Sequence, residues 1–338
     1  MKVLVLGGTG VISRQIIPLL LEQGHDVTIY NRGIRASGFA KEVKTIFGDK
    51  FQRDEFENQM RMYKFDTVID MICFNEEDAK SDIRAFKGNI GQLVVCSSGA
   101  AYKRPFKGVP ISEANEELTT DCPFPYSYNK AGMERYLNSE MSKGELPITI
   151  IRPSLTYGVG SANVGVLRQN YGIIDRIRKG KPLIMFGDGT TPWAFTFAPD
   201  LARGFVGVVG NPAAYNEAFH ITSDEVHIWD DLYLEIGKII GVEPIIKHLP
   251  IDLLLESDKD IFEHIYYEKI YSGIFDNSKI KGAVPEFKAC ISLNQGLTTL
   301  IDWYEKEANT VDLKKDKYED ALVEKYNSWA EEMRNLKF

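Results

Sequence analysis

Short apolar runs rich in valine and isoleucine recur along the first half of the chain, each followed by a stretch with helical periodicity, and this rhythm restricts the fold more than any other feature. The runs are KVLVLG, DVTIYN, VKTIFGD, DTVIDMICF, QLVVCSS and ITIIRPS, with segments such as VISRQIIPLLLEQG between them. A strand covered on one face alternates apolar with polar residues. These runs are apolar throughout, as strands buried on both faces are. Strand, helix and strand in succession imply parallel pairing with helices on both faces. A doubly wound parallel sheet is therefore expected over about residues 1–155.

A chain of 338 residues is too long for one small core and predicts a second lobe. After Pro153 the pattern loosens into the glycine-rich turns YGVGSANVG and FGDGTTPW, separated by VLRQNYGIIDRIRKGKP. The segments TFAPDLARGFVGVV and EAFHIT then read as a helix and a strand that return to the first sheet, and WDDLYLEIGKIIG and LNQGLTTLIDWYEKE as amphipathic helices. The expected architecture is α/β: a Rossmann-type domain from residues 1–155 plus about 194–226, and a smaller, discontinuous α+β substrate lobe from about 156–193 plus 227–338. Tyr318, Leu322, Tyr326, Trp329 and Met333 recur at helical spacing near the end. They suit a helix docked on its own chain, or else a homodimer interface.

Composition narrows the function classes. A formal net charge of -8 argues against general nucleic-acid binding, which needs a basic surface to neutralise phosphates. Cys73, Cys96, Cys122 and Cys290 are widely separated with no CxxC pair, and the five histidines show no HxxxH or HExxH spacing. Buried free thiols and no metal site are the expectation. No apolar stretch reaches the ~18 residues of a membrane span. A cytoplasmic protein acting on a small molecule, with neither nucleic acid nor membrane as partner, fits these features.

The first strand-like run ends in GGTGVIS, Gly7 to Ser13. In a dinucleotide-binding loop the first glycine permits a tight turn, the second lets backbone approach a pyrophosphate, and the third allows helix to pack closely on strand. Gly7 and Gly10 can fill the first two places, with Gly8 and Thr9 between and Val11 and Ile12 leading into the helix; Ser13 takes the third. The second strand ends in Tyr30, Asn31 and Arg32, where an acidic residue would bind the ribose 2′-hydroxyl of NAD. Arginine there suits a 2′-phosphate, so the cofactor reading is NADP or NAD with a lean to NADP. Arg35 is an alternative phosphate contact, and Arg32 as a solvated loop cation is the plain alternative.

In FPYSYNKAGMERYL, Tyr126 and Lys130 stand four residues apart at the head of a helix and so share a face. Of sixteen tyrosines, only this one has lysine at that spacing. Together with GGTGVIS, SSGAAY (Ser97–Tyr102), RPSLTYG (Arg152–Gly158), GDGTTPWAFTFAPDLA (Gly187–Ala202) and FDNSKI followed by LIDWY, this segment resembles the extended short-chain dehydrogenases/reductases, which include NAD(P)-dependent epimerases and dehydratases. The resemblance covers nearly the whole chain. It implies Tyr126 and Lys130 as catalytic tyrosine and lysine and Ser98 as catalytic hydroxyl, with Ser97 the competing serine and Tyr128 the competing base. Lys130 would also hold the cofactor ribose, and Asp49, after the third strand, resembles the adenine contact, although a strand-end aspartate is as often a turn former.

The roles are chemically coherent. Alcohol oxidation needs a base while hydride leaves to nicotinamide; a tyrosine with a pKa of ~10 becomes one only beside positive charge. Nucleotide-sugar members of the family grip a diphosphate with an arginine just after the GDG turn and another near the FDNSK-like stretch. Trp193 holds the first place, and no arginine occurs between Arg203 and Arg334, which argues against a typical diphosphate-sugar substrate. Trp193, Phe195 and Phe197 are expected either to wall the substrate site or to pack in a core. Tyr157, Asn163, Arg168 and Lys103 are candidate polar contacts. Gly99 and Ala100 stand where the family's 4,6-dehydratases carry an acidic pair, so net oxidoreduction or epimerisation is favoured over dehydration. The alternative is a non-catalytic or RNA-binding regulatory member of the same fold.

Overall fold

The computed structural model describes residues 1–34, 39, 43–161 and 163–336. It divides into two compact units, the first Met1–Thr156, Thr196–Asp224 and Phe275–Cys290, the second Tyr157–Phe195, Glu225–Ile274 and Ile291–Phe338.

The opening run explains the first unit. Strand β1 (Lys2–Leu6) has no exposed face beyond its first residue. Val3 and Val5 pack with Ile16, Ile17 and Leu20 on one side, and Leu4 and Leu6 with Phe56, Ile83 and Leu137 on the other. Around it lie β2 (Asp26–Asn31), β3 (Lys44–Phe47), β4 (Thr67–Asp70), β5 (Gln92–Cys96), β6 (Ile148–Pro153) and β7 (Glu217–Ile221). All pairings are parallel, in the order β3-β2-β1-β4-β5-β6-β7. Helices α1 (Ser13–Glu22) and α5 (Ala198–Gly207) supply one face of the core; α2 (Arg53–Met60), α3 (Glu76–Phe86) and α4 (Pro125–Met141) supply the other. The strand order reverses between β1 and β4, the kind of switch point at whose carboxyl end doubly wound sheets bind ligands.

The division differs from the sequence reading in one segment. Phe275–Cys290, expected in the substrate lobe, belongs to the first unit. Its short helix α6 (Ser278–Ala283) buries Ile280, and Val284 and Phe287 follow into the core shared with β1. Val284 approaches so closely that a Cβ at Gly207 would stand 2.3 Å from it. A helix of six residues is too short for a periodicity signal, so only its packing reveals where it belongs.

In the second unit, strand Leu183–Phe186 pairs in parallel with Ile246–Leu249, among helices that include Tyr171–Arg178, Trp229–Ile240, Leu293–Glu307 and Leu313–Arg334. The last of these docks by its first half. Leu322 and Val323 are buried, and the buried Glu319 accepts Gln169 Nε2 at 3.0 Å and the Ile184 amide at 2.9 Å and pairs with Arg176 at 3.2 Å. Trp329 and Met333, further along the same helix, are exposed. No helix among the described residues is long and apolar enough to cross a membrane.

Candidate active site

The loop after β1 is built by close approach. Gly7 has φ +80°, and a Cβ there would lie 2.6 Å from Ile72 Cγ2; at Gly8 it would lie 2.7 Å from Ile29 Cγ2. Both positions therefore require glycine to let the loop settle on the ends of β2 and β4. Gly10 is different: it is exposed, and the nearest atom to a Cβ there is Ser13 Oγ at 3.5 Å. A side chain there would meet only ordinary van der Waals contacts. Ser13, at the third glycine position, is buried and donates its hydroxyl to the Gly7 carbonyl at 2.7 Å. The serine thus closes the loop on itself. Helix α1 starts at Ile12 with no side-chain cap and no acidic residue in its first turn, so its positive end is left for an anion. Thr9, Val11 and Ile12 line the turn, each partly exposed. These features fit a dinucleotide pyrophosphate.

Further along the same edge, Asn31 Oδ1 accepts the Gly33 amide at 2.8 Å and Arg32 is exposed; Arg35 lies outside the described residues. Asp49 Oδ1 accepts the Phe51 amide at 3.0 Å, so this aspartate does form the turn that the sequence allowed for it.

The Tyr126–Lys130 pair sits at the start of α4. Pro125 occupies the first helical position, where its missing N–H costs nothing, and Tyr126 follows, 39% exposed. One turn later Lys130 is only 2% exposed. Its ammonium donates to the Cys73 and Cys96 carbonyls, both at 2.7 Å, and stands 6.0 Å from the Tyr126 ring centre and 5.2 Å from that of Phe74. Two of its three N–H bonds are thereby fixed by the ends of β4 and β5, leaving one for another partner. Ser98 Oγ accepts the Ala100 amide at 3.1 Å, which occupies a lone pair and leaves the O–H to donate. The turn Gly99–Ala101 packs on α4, bringing the serine segment and the tyrosine helix to one edge. Tyr128 is 48% exposed, and no lysine stands one turn after it.

Ser97 has another role. It is buried and donates to Glu134, which lies one turn beyond Lys130. Glu134 also accepts Arg152 Nε at 2.9 Å; Arg152 Nη1 donates to the Tyr102 hydroxyl at 2.7 Å, and that hydroxyl meets His220 Nε2 at 2.7 Å. Burial first, and Arg152 second, push the His220 imidazole down to about 3, so it is neutral. Burial raises the Tyr102 phenol despite Arg152. This buried chain ties β5, α4, β6 and β7 together.

Sequence reasoning missed a second buried cluster. Lys50 ion-pairs with Asp70 and, at 2.9 Å, with Asp82, all essentially inaccessible. Asp70, Cys73 and Asp82 offer atoms within 4.8 Å of one another, but the cation these carboxylates hold is the ammonium of Lys50. Burial and the Asp70 charge push Asp82 well above the usual carboxylate range, while Lys50 and the Ile72 amide hold Asp70 low against its burial. The available signal was an aspartate closing an otherwise apolar strand, TVID.

Tyr157, Asn163, Arg168 and Trp193 belong to the second unit. Tyr157 is buried, with its hydroxyl 3.5 Å from the Leu293 carbonyl. Asn163 and Arg168 are exposed, and Arg168 has φ 55°. Trp193 was expected to wall a substrate or to pack in a core, and packing is what is observed. It is 1% exposed, 5.7 Å from Trp229, under the Lys269 ammonium at 4.8 Å, and so close to Gly273 that a Cβ there would stand 2.5 Å from its ring. The ring faces are taken up by its own unit, which leaves no face for a sugar. Phe195 and Phe197 are likewise buried, and Lys103 in the first unit is exposed.

Residues 3–221 match the family model described as the NAD dependent epimerase/dehydratase family. Among curated proteins the chain is similar to 2'-dehydrokanamycin reductase of Streptomyces kanamyceticus, 24% identical over 242 residues, covering 71% of this chain and 67% of that protein. It is also similar to the chloroplast stem-loop binding protein of 41 kDa b of Arabidopsis thaliana, 25% identical over 261 residues, covering 73% of this chain and 65% of that one. The matches thus span about two thirds of each relative's length. Among solved structures, UDP-glucuronic acid 4-epimerase from Bacillus cereus in complex with NAD superposes with a TM-score of 0.73 at 20% identity, covering 91% of this chain and all of that one. At that identity the likeness establishes the fold. With the family model spanning most of the chain, the protein belongs to the NAD-dependent epimerase/dehydratase family.

Proposed function

We propose that the protein is an NAD(P)-dependent oxidoreductase or epimerase that transfers hydride at a secondary alcohol or ketone of a sugar-like or otherwise hydroxylated small molecule. The observation that carries this reading is the half-exposed Tyr126 over a buried Lys130 whose ammonium is pinned by two carbonyls. A bound nicotinamide supplies the hydride acceptor or donor. Gly7, Thr9, Gly10, Val11 and Ile12 would hold its pyrophosphate, Asn31 and Arg32 the adenosine ribose, and Asp49 the adenine edge. Lys130 would hold the nicotinamide ribose with its remaining N–H.

Tyr126 then takes or returns the proton of the reacting hydroxyl. Its phenolate is favoured by the ammonium one turn away and by its place in the first, positive turn of α4. Ser98 donates to the same substrate oxygen and stabilises the charge that develops on it. The absence of arginine between Arg203 and Arg334 supports a substrate lacking a diphosphate, and the similarity to a protein named a reductase supports net oxidoreduction over epimerisation. Arg32 supports NADP; the NAD carried by structural neighbours supports NAD.

The test is a screen of hydroxylated compounds with NAD⁺ and NADP⁺, followed by the Tyr126→Phe variant. Turnover should fall steeply in that variant, and full retention would defeat the proposal. A second reading, RNA binding, is favoured by the similarity to a stem-loop binding protein. The net charge of -8 and the intact Ser98–Tyr126–Lys130 set support catalysis instead. Retention of RNA on a filter at physiological salt, without turnover of any compound, would reverse the order.

A further inference from the structure

Three structural facts meet at the turn after β4. Asp70 Oδ1 accepts the Ile72 amide at 2.7 Å, while the other oxygen of the same carboxylate is held by buried Lys50. Ile72 is the side chain against which Gly7 closes, 2.6 Å from where a Cβ would stand. The next residue, Cys73, presents the carbonyl that accepts Lys130 at 2.7 Å. One hydrogen-bonded turn thus forms the floor of the glycine loop and supplies one of the two acceptors of the lysine.

We propose that Asp70, itself held by Lys50 and Asp82, is a positioning residue that sets the Ile72–Cys73 turn and through it both the dinucleotide loop and the Lys130 ammonium. This rests on the proposed function for its meaning in catalysis, though not for its geometry. Lys50 joins the device from the turn after β3, since it follows Asp49 directly. The adenine end and the nicotinamide end of the site are thereby braced by the same buried charges. The groups facing the Lys130 ammonium are the Cys73 and Cys96 carbonyls and the rings of Phe74 and Tyr126, with Asp70 acting one turn behind them.

The experiment compares two variants that share the surviving Lys50–Asp82 ion pair and differ in the acceptor for the Ile72 amide. Asp70→Asn keeps an oxygen at that place and Asp70→Ala removes it. The first readout is acetylation of Lys130 by a brief pulse of an amine-reactive ester, followed by mass spectrometry with exposed Lys64 as internal standard. The second is the affinity for NADH, read by its fluorescence. Asp70→Ala is expected to speed Lys130 acetylation and weaken NADH binding, each by about tenfold, whereas Asp70→Asn stays within about twofold of the wild type. Equal behaviour of the two variants in both readouts overturns the proposal.

If acetylation separates the variants as expected but no form binds NADH or NADPH, the positioning role stands and the cofactor reading fails. Should Asp70→Ala not fold, Asp70→Val, a strand-forming residue of similar volume, serves the same comparison. In the wild type itself the Ile72 amide is expected to be protected from hydrogen exchange, and rapid exchange there overturns the proposal without any variant.

Discussion

Two tyrosines of the first unit show how one side chain serves opposite ends. Tyr126 stands in the first turn of α4, 39% exposed, with the ammonium of Lys130 below its ring. Tyr102 is 1% exposed, with Arg152 donating to its hydroxyl and His220 bonded to it. In the proposed reaction a proton on the first leaves to a substrate. A proton on the second has only a neutral imidazole to meet, and burial holds the phenol above its ordinary range. Helix α4 links the open and the closed environment: Lys130 lies beside the first and Glu134, one turn on, anchors the second.

The comparison breaks most sharply at Tyr126. Tyr126→Phe should lower turnover by about a hundred- to ten-thousand-fold, the range for loss of a positioned acid/base, and shift stability by less than about 0.5 kcal/mol because the residue is 39% exposed. Steady-state kinetics and urea unfolding of the same preparation check both. Arg152→Met should do the reverse to the scaffold. It strands the buried Glu134 carboxylate, and a loss of about 3–5 kcal/mol in unfolding free energy is expected, read from the shift in urea midpoint.

His220 sharpens the contrast through pH. Its folded pKa, near 3, lies below the unfolded value of ~6.5, so the unfolded chain binds the extra proton. The stability this neutral imidazole contributes is present above the unfolded pKa and is lost as pH falls from there toward the folded one. By pH 5 the loss attributable to His220 should be about 2 kcal/mol. Comparing wild type with His220→Gln by urea unfolding at pH 7 and pH 5 isolates it; an identical pH dependence would contradict the neutral, buried imidazole. The smallest effect on turnover is expected from Tyr102→Phe. It leaves Arg152 Nη1 and His220 short of a partner and should cost about 1–3 kcal/mol while leaving kcat within about twofold, since Tyr102 has no opening to solvent.

Much of the candidate site's geometry was legible because its signals are local. Gly7, Gly10 and the Tyr126–Lys130 spacing each depend on geometry within a few residues, a tight turn in one case and one helical turn in the other. Ser13 was readable as a tolerated departure, yet its bond to the Gly7 carbonyl required the folded loop. Choosing between Ser97 and Ser98 lay beyond local pattern. Adjacent serines at a strand end point to opposite sides, and only the position of Glu134, 37 residues later, decides which of them is buried. Nothing near Lys50 in the sequence marks its role, because its partners are 20 and 32 residues away. Trp193 shows the limit in the other direction: its neighbours in sequence allowed a substrate wall, and Gly273 and Trp229, distant in the chain, made it core.

What the sequence determined by itself was the sheet and the identity of its loops. Uniformly apolar strands cannot be stable unless both faces are covered, and glycine and proline mark turns whatever surrounds them. What only the tertiary structure decided was the pairing of buried charges and the allegiance of short segments. Lys50 with Asp70 and Asp82, Arg152 with Glu134, and Phe275–Cys290 with the first unit each depend on which side chains meet across the fold. Electrostatic and packing energies are set by separation in space, and separation along the chain does not predict it.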